Sequence, residues 1–571
     1  MDSRFFRRLG WHLFEHPRFP LACLLLALLV ALPSLSVGFF SDDFMHLTFL
    51  EKRVVWNPSW WDLYRFTPDD PSHLEKLVAQ GVYPWWTPKD FALHFFRPIT
   101  SALVAADFAW FGHRPLGYHV HTIFWWLALV GVVALLYREA LPGALGHLAL
   151  LLFVLDDGHA LPIAWIASRH LLTGAVPALL GLAAHVRYRE RGFRAGRWLG
   201  PFGLAIGLAA SEAAAGVAAY WLAYEWLGRR ERGRLRHSLP LVGVLAVYAI
   251  VYRALGCGAR ESGAYVDPGA DTARYLANAV ERLPILAADA ILGVPADLAG
   301  TLRKGPMITV GLLALVGLAA GTRAVWPRLD QRARRTLTWL AAGSAMSSLL
   351  TLGGILGSRL LLIPSLGTMA LIATVILHGV GRIGRAGAGV LVVVHGLLAP
   401  LVLVKGMFML GNIAERLERT AETAEIAPGT ERVVVLAAVD PLLGLYPWFI
   451  RRANHPELTE NWFTLSATRG THRVTRTGPS SLRLEVEGTT LLKGILERAF
   501  RRPERTYAVG DVTEVEGMRI TVAAAEAGAP TALDIVLDAP LEDPRIALLG
   551  WQHGALRRVT LAPGETLTMA P

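Results

Sequence analysis

The stretch Val37-Gly38-Phe39-Phe40-Ser41-Asp42-Asp43-Phe44 decides how the chain is read, because an apolar run ends inside it and two adjacent carboxylates follow. From about Pro20 to Phe40 there is no charged residue, a length that crosses a bilayer. Two aspartates just past such a span are costly to keep near lipid, which makes them a candidate site. Ser41 also fits the N-cap of a helix opening at Asp42, with the acids at the positive end of the helix dipole. Capping and chemistry are compatible readings of the same residues.

The 571 residues are 53% hydrophobic and 18% charged, with a mean hydropathy of +0.39. That balance is a polytopic membrane protein and excludes a soluble enzyme. The net charge of +10 sits mostly in short Arg-rich loops between apolar runs, so it reads as membrane orientation and not as a nucleic-acid surface. Cys23 and Cys257 make no disulfide framework. Arg4, Arg7 and Arg8 precede an apolar stretch longer than the roughly 7–15 residues of a signal-peptide core, which reads as an uncleaved anchor.

Apolar runs recur at Pro20–Phe40, Gly117–Leu136, Leu145–Leu155, Leu171–Val186, Trp198–Ala210 and Ala213–Leu227. They continue at Leu239–Leu255, Ile308–Val325, Trp339–Leu356, Leu360–Val380 and Val390–Leu410. About eleven crossings put the N-terminus, Arg187–Arg197, Arg229–Arg236, Arg328–Arg335 and Arg382 with Arg385 on one face, as the positive-inside rule requires. The opposite face receives Asp42-Asp43, the segment Ser41–Phe96, Asp156-Asp157-Gly158-His159, Ser211-Glu212, the loop Gly256–Lys304 and Ser358-Arg359. The tryptophans of the first of these loops (Trp56, Trp60, Trp61, Trp85 and Trp86) read as a headgroup belt, with stacking on a sugar face as the other use.

After about Gly411 the pattern changes to alternating strands, among them Glu431–Leu436, Ser481–Glu487, Arg519–Val522 and Ala532–Leu537. The expected architecture is therefore a transmembrane domain over residues 1–410 and a soluble β-rich domain over 411–571, outside the cytoplasm by the crossing count.

Three arginines flank apolar segments of the outer face: Arg97 before Pro98, Arg169 after Trp165-Ile166-Ala167-Ser168, and Arg359 in Ser358-Arg359-Leu360. A guanidinium keeps its charge when partly buried and binds phosphate bidentately, so three converging ones suit a lipid-linked phosphate. Taken singly, each also reads as a snorkelling interface residue. His119 and His121, two apart, point different ways on a helix and make no joint metal site; His119 alone can hydrogen-bond a phosphate or be satisfied by backbone. Glu212 interrupts two apolar runs and is a site candidate for that reason. Asp156-Asp157 reads as a second acidic group or, the preferred reading, as a capped turn with Gly158.

In order, the acid pair, Phe96-Arg97-Pro98, Asp107, Gly112, Pro115, Gly117-Tyr118-His119, Trp165-Ile166-Ala167-Ser168-Arg169, Ser211-Glu212 and Ser358-Arg359 with Pro364 resemble the GT-C glycosyltransferases that use polyprenyl-phosphate sugars. The resemblance is to relatives of the protein O-mannosyltransferases and covers about residues 1–410. It implies a GT-C-like fold, transfer of a sugar from a lipid carrier outside the cytoplasm, and Asp42 or Asp43 as the general base. Arg97, His119, Arg169, Glu212 and Arg359 are the expected substrate-binding residues. Leu171, Ser211 and Thr122 stand where relatives carry an acid, a lysine and an asparagine.

The resulting expectation is an integral enzyme of a bacterial plasma membrane, with inverting chemistry and a polyprenyl-phosphate sugar as donor. Its partners are membrane lipid and that donor, with no nucleic acid; the acceptor (protein, lipid or glycan) and a divalent metal are left open. A lipid-linked saccharide flippase and a non-catalytic membrane scaffold are the alternatives.

Overall fold

Backbone polar groups in lipid are satisfied only within helices or closed barrels, and the first of the two units of this chain is built from helices. The computed structural model describes residues 14–141, 143–229, 233–379, 381–494 and 496–570. Arg4, Arg7, Arg8, Arg230, Glu231 and Arg232 lie outside the described residues. The helical unit comprises the described residues up to Gly38, Phe95–Cys257 and Asp271–Gly411.

Among the described residues six helices are long and apolar enough to cross a membrane: Phe19–Ser36, Pro115–Ala140, Ile166–Arg191, Arg234–Ala254, Lys304–Arg328 and Gly381–Glu422. A seventh arises if Ala144–Leu155 and Asp157–Ala164, bent by 52°, form one span. These helices mark an integral membrane protein by length and composition. About eleven spans were expected, and the difference has a local cause. Breaks at Trp165, Ser211 and Ser358 divide apolar runs into pieces such as Gly196–Ala210 and Ser365–His378. Gln331–Leu350, though long, carries Arg332, Arg334 and Arg335.

Leu239, Val242, Val247 and Ile250 on one helix and Leu312, Leu313 and Val316 on another are exposed, an apolar surface suited to lipid. Inside, the helix Gly196–Ala210 approaches His170–Arg191 through glycines. A Cβ added at Gly207 would lie 2.7 Å from the Gly174 carbonyl oxygen, and one at Gly181 2.7 Å from that of Gly200. Small residues permit this backbone approach, and larger ones would force the helices apart.

The second unit comprises Phe39–His94, Gly258–Ala270 and the chain from Asn412 onward. Its strands are β1 (Ala92–His94), β2 (Gly258–Arg260), β3 (Arg432–Ala437), β4 (Asn461–Thr464), β5 (Thr471–Gly478) and β6 (Ser481–Glu487). They continue as β7 (Val512–Val515), β8 (Met518–Glu526), β9 (Ala529–Leu537), β10 (Ile546–Gln552), β11 (Ala555–Arg558) and β12 (Thr566–Met569). An antiparallel sheet runs β12-β5-β6-β9-β8-β7, and a mixed sheet runs β11-β10-β3-β4 with β3 parallel to both neighbours. The strands expected after Gly411 are present: β3, β6, β8 and β9 contain or closely overlap them.

The first loop, read as a membrane-surface belt, and part of the loop Gly256–Lys304, both assigned to residues 1–410, belong to this unit instead. β1 pairs with β2, and Leu74, Leu77, Trp85, Trp86 and Phe91 enter one core with Val434, Phe463, Leu484 and Leu533. Trp85 and Trp86 are therefore not belt residues. Their rings meet edge to face at 5.7 Å, and their indole N–H groups donate to the carbonyl oxygens of Leu465 and Glu497 at 3.0 and 3.1 Å. A buried indole is stable when its N–H is satisfied, and these carbonyls do so. Trp60 and Trp61 remain exposed.

Trp86→Ala removes a fully buried ring and is expected to destabilise the second unit by about 3–5 kcal/mol. Trp60→Ala is expected to stay within about 0.5 kcal/mol of the parent. Denaturant unfolding of the detergent-solubilised protein, followed by near-ultraviolet circular dichroism, separates the two.

Candidate active site

In the helical unit the candidate residues stand where helices begin or break. Pro98 occupies the first turn of Pro98–Phe111, a position that needs no donor, and Arg97 precedes it. Trp165 and Ser211 are extended residues between helical segments, and Gly357 opens the short turn that carries Arg359. Hydrogen bonds join these ends. Thr100 contacts the Thr173 hydroxyl at 2.7 Å and donates to the Ala210 carbonyl oxygen at 2.8 Å. His170 Nδ1 and Ser211 Oγ are 2.8 Å apart, and Ser211 Oγ accepts from the Ala213 N–H at 3.3 Å.

This frame brings Arg97 onto Glu212. The guanidinium donates through Nε at 2.9 Å and through Nη2 to the second carboxylate oxygen, a bidentate pair. Arg97 also lies 4.5 Å from the Phe95 ring centre. Glu212 feels the charge of both Arg97 and Arg359. Arg359 lies 5.4 Å from the Trp165 ring centre, and its segment is held by Tyr220 and Ser344, which donate to the Pro364 carbonyl oxygen at 3.0 and 2.7 Å. Among the described residues Arg359 makes no ion pair, whereas Arg97 does.

Arg169 is wholly buried. Its Nη2 lies 2.6 Å from Asp107 Oδ2, a charge contact, and Nη1 donates to the Tyr118 carbonyl oxygen at 3.4 Å. Asp107 Oδ1 meets His121 Nδ1 at 2.7 Å, and Trp125 Nε1 donates to His121 Nε2 at 3.0 Å. His119 turns the other way and contacts the Gly38 carbonyl oxygen through Nε2 at 3.0 Å. Its buried Nδ1 has no partner among the described residues. The structure thus sets Arg97 and Arg359 near Glu212, while Arg169 is paired with Asp107 and acts on His119.

Asp42 and Asp43 belong to the second unit, at the start of the helix Asp42–Leu50. Ser41 does not cap this helix, contrary to the expectation. Its φ of 52° and ψ of −116° turn the chain sharply, a backbone state that costs a non-glycine residue about 1–3 kcal/mol and recurs at functional sites. The Asp43 carboxylate takes over, accepting from the Phe40 N–H at 2.9 Å, and is buried. Asp42 is half-buried and accepts from the Tyr446 hydroxyl at 2.6 Å. Burial raises the Tyr446 phenol well above its ordinary value, and the Asp42 charge and hydrogen bond add to this, so it remains a proton donor.

Asp156 forms the expected turn, accepting from the Gly158 N–H at 2.9 Å. Among the described residues no group of three or more His, Cys, Asp or Glu side chains is arranged to hold a metal ion, so no step is assigned to one. Sequence reasoning missed Tyr446, His170 and the role of Asp107. Asp107 had a signal, as the single acid of the apolar helix Pro98–Phe111. Tyr446 had none, since 404 residues separate it from its partner.

No protein-family model matches the sequence, and no curated protein sequence matches it. Among solved structures, the chain is similar to the Archaeoglobus fulgidus oligosaccharyltransferase tethered with an acceptor peptide containing the NVT sequon. Identity is 12%, coverage 76% of this chain and 64% of that one, and the TM-score 0.36. It is similar to AglB from the same organism in complex with an inhibitory peptide and a dolichol-phosphate, at 13% identity, 74% and 63% coverage and a TM-score of 0.33. It is also similar to ArnT from Cupriavidus metallidurans bound to undecaprenyl phosphate, at 12% identity, 78% and 85% coverage and a TM-score of 0.38. The chain spans less than two thirds of the length of the oligosaccharyltransferase structures. At TM-scores below 0.5 these likenesses transfer neither fold nor activity, and both rest on the chain's own residues.

Proposed function

We propose that the chain is an integral membrane glycosyltransferase of the GT-C type, crossing the membrane about eleven times if shortened and broken helices are counted as spans. It transfers a sugar from a polyprenyl-phosphate donor to an acceptor on the extracytoplasmic face of a bacterial plasma membrane, where the β-rich unit also lies. The observation that supports this reading is that Glu212, paired with Arg97, also feels the charge of Arg359, while Arg169 lies buried against Asp107 in the same apolar unit. Guanidinium groups kept at such cost suit an anionic ligand carried on a lipid.

Asp42 or Asp43 acts as general base. It takes the proton of an acceptor hydroxyl as that oxygen attacks the anomeric carbon, and the sugar–phosphate bond breaks with its electron pair left on the carrier phosphate. Attack opposite the leaving group inverts the anomeric centre. The arginines stabilise the charge that develops on the phosphate. Glu212 holds Arg97 in its fork until phosphate competes for it, and His119 offers its second ring nitrogen to a phosphate oxygen. The Tyr446 hydroxyl orients Asp42.

Asp42→Asn and Asp43→Asn keep a hydrogen-bond acceptor of the same shape, and at least one is expected to lower transfer by about 100-fold or more while the protein stays folded in membranes. Full activity in both single variants and in the double variant defeats the assignment. Tyr446→Phe is expected to lower kcat about tenfold, with a smaller change in KM for the donor; an unchanged kcat removes Tyr446 from the site. Arg97→Gln leaves Glu212 without its cation and is expected to lower the melting temperature. Arg97→Gln combined with Glu212→Gln is expected to recover stability without recovering transfer, measured by thermal melts alongside assays with a labelled lipid-linked sugar.

A further inference from the structure

Three stretches far apart in sequence meet inside the helical unit: the turn over residues 156–159, the helix Thr272–Leu292 with the turn after it, and the turn carrying Ser358 and Arg359. The Ala296 N–H is shared between Asp289 Oδ2 at 2.8 Å and Ser358 Oγ at 3.2 Å. The Ser358 N–H donates to Asp297 Oδ2 at 3.0 Å. Gly158 sits so close that a Cβ there would lie 2.9 Å from the Ser358 carbonyl oxygen. Further back on the same helix, Arg282 Nη1 donates to the carbonyl oxygens of Leu352 and Gly354 at 2.6 and 2.8 Å, and the Tyr275 hydroxyl to that of Leu349 at 2.5 Å. The helix thus clasps residues 349–358 at several points.

This junction buries Asp156, Asp157 and Asp289, which are 3%, 7% and 2% exposed, and among the described residues none of the three makes an ion pair. Asp289 feels the charge of both Asp157 and Asp156, and Asp157 that of Asp297. Asp156 Oδ2 and Asp289 Oδ1 are buried with no hydrogen-bond donor among the described residues. The other ionisable groups around Asp289 are His159 on the turn, Arg359 beyond Ser358, and His395, whose Nε2 lies 3.1 Å from the Ile291 carbonyl oxygen. On its own helix Arg274, Glu281 and Arg282 stand about two turns or more away. The neighbouring helix Lys304–Val325 pairs Lys304 with Glu281 and holds Arg323 in its last turn. The helices Gln331–Leu350 and Ser365–His378 carry their ionisable groups at the ends away from Ser358.

Carboxylates buried unpaired in one junction repel one another, and the repulsion is relieved when one of them keeps its proton. Asp289, on a separate helix, faces both of the others. Burial raises its carboxyl well above the ordinary value and the Asp157 charge adds to this, with the donors from Ser358 and Ala296 opposing. We propose that Asp289 is a carboxylic acid at neutral pH, and that its proton latches the turn over residues 156–159 and the Ser358-Arg359 turn onto the helix Thr272–Leu292. Ionising Asp289 adds a negative charge beside Asp156 and Asp157, drives the stretches apart and frees Arg359 from the position the fold gives it. The closed form binds the proton more tightly, so the latch holds at acidic and neutral pH and opens as pH rises through the raised value of Asp289. It is a conformational property of the helical unit and does not depend on the proposed transfer.

The test is infrared spectroscopy and amide hydrogen exchange of the full chain in detergent from about pH 5 to pH 9, a range that takes in the values of buried carboxyl groups. The parent is expected to show, at neutral pH, the C=O stretch of a protonated carboxyl that Asp289→Asn lacks. The Ser358 amide, corrected for its intrinsic rate, is expected to lose protection about tenfold or more as that band disappears with rising pH. In Asp289→Asn, which cannot ionise there, the protection is expected to hold across the range. Asp157→Asn removes one repelling charge and is expected to move the loss of the band to lower pH, so it tests the latch even if Asp289→Asn does not fold. No carboxyl band at neutral pH, a band unchanged in Asp289→Asn or unmoved in Asp157→Asn, or Ser358 protection that does not follow the band overturns the proposal. Loss of the band at neutral pH on adding magnesium or manganese chloride also overturns it, because the junction then takes a cation in place of the proton.

Discussion

A guanidinium shut away from water must find a counter-charge inside the protein, and in the helical unit this demand organises everything around it. Arg169 has no exposed surface and is set against Asp107. Arg97 is gripped by Glu212 across 115 residues of chain. Stripping a charge of water costs several kcal/mol even after relaxation, so these pairings are conditions for the fold to exist. They also specify it, because each pair demands that particular helix ends arrive together.

The helix breaks follow from the same demand. An unbroken helix hides its backbone groups, while a break exposes carbonyls and N–H groups that need partners. Here the partners are side chains next to the candidate residues: Thr100 takes up the Ala210 carbonyl oxygen, Ser211 the Ala213 N–H, and Tyr220 and Ser344 the Pro364 carbonyl oxygen. Glycines between the helices His170–Arg191 and Gly196–Ala210 bring the backbones close enough for this stitching. Irregular backbone and ionisable side chains thus occur at the same places, and each makes the other tolerable.

The second unit reaches its stability by another route. Its antiparallel six-stranded sheet alternates buried and more exposed residues, β6 most clearly, whereas β3 and β10 of the mixed sheet are buried almost throughout, and the core is completed by aromatic residues that arrive from residues 39–94. Trp85 and Trp86 are held by indole hydrogen bonds to carbonyls 380 and 411 residues away. The acid pair therefore sits on a helix that packs against Pro441–Asn454 from the far end of the chain. The β-rich segment is part of the structure that shapes Asp42, and not an appendage to it.

Hydropathy and period were enough to read a helical membrane unit, a β-rich segment after Gly411 and the positions of β6, β8 and β9, because burial against lipid or a sheet core leaves its rhythm in consecutive residues. The candidate arginines were legible for a related reason, since a charge beside an apolar run stands out in one dimension. What only tertiary structure decided was partnership. Neither Glu212 under Arg97 nor Tyr446 on Asp42 leaves a periodic trace, because both join residues far apart in the chain through single contacts. The tryptophans of the first outer segment show the same limit: an indole ring suits a membrane interface and a protein core equally well. Only the arrival of Leu465 and Glu497 carbonyls, supplied by the fold and invisible in local composition, settled which of the two Trp85 and Trp86 occupy.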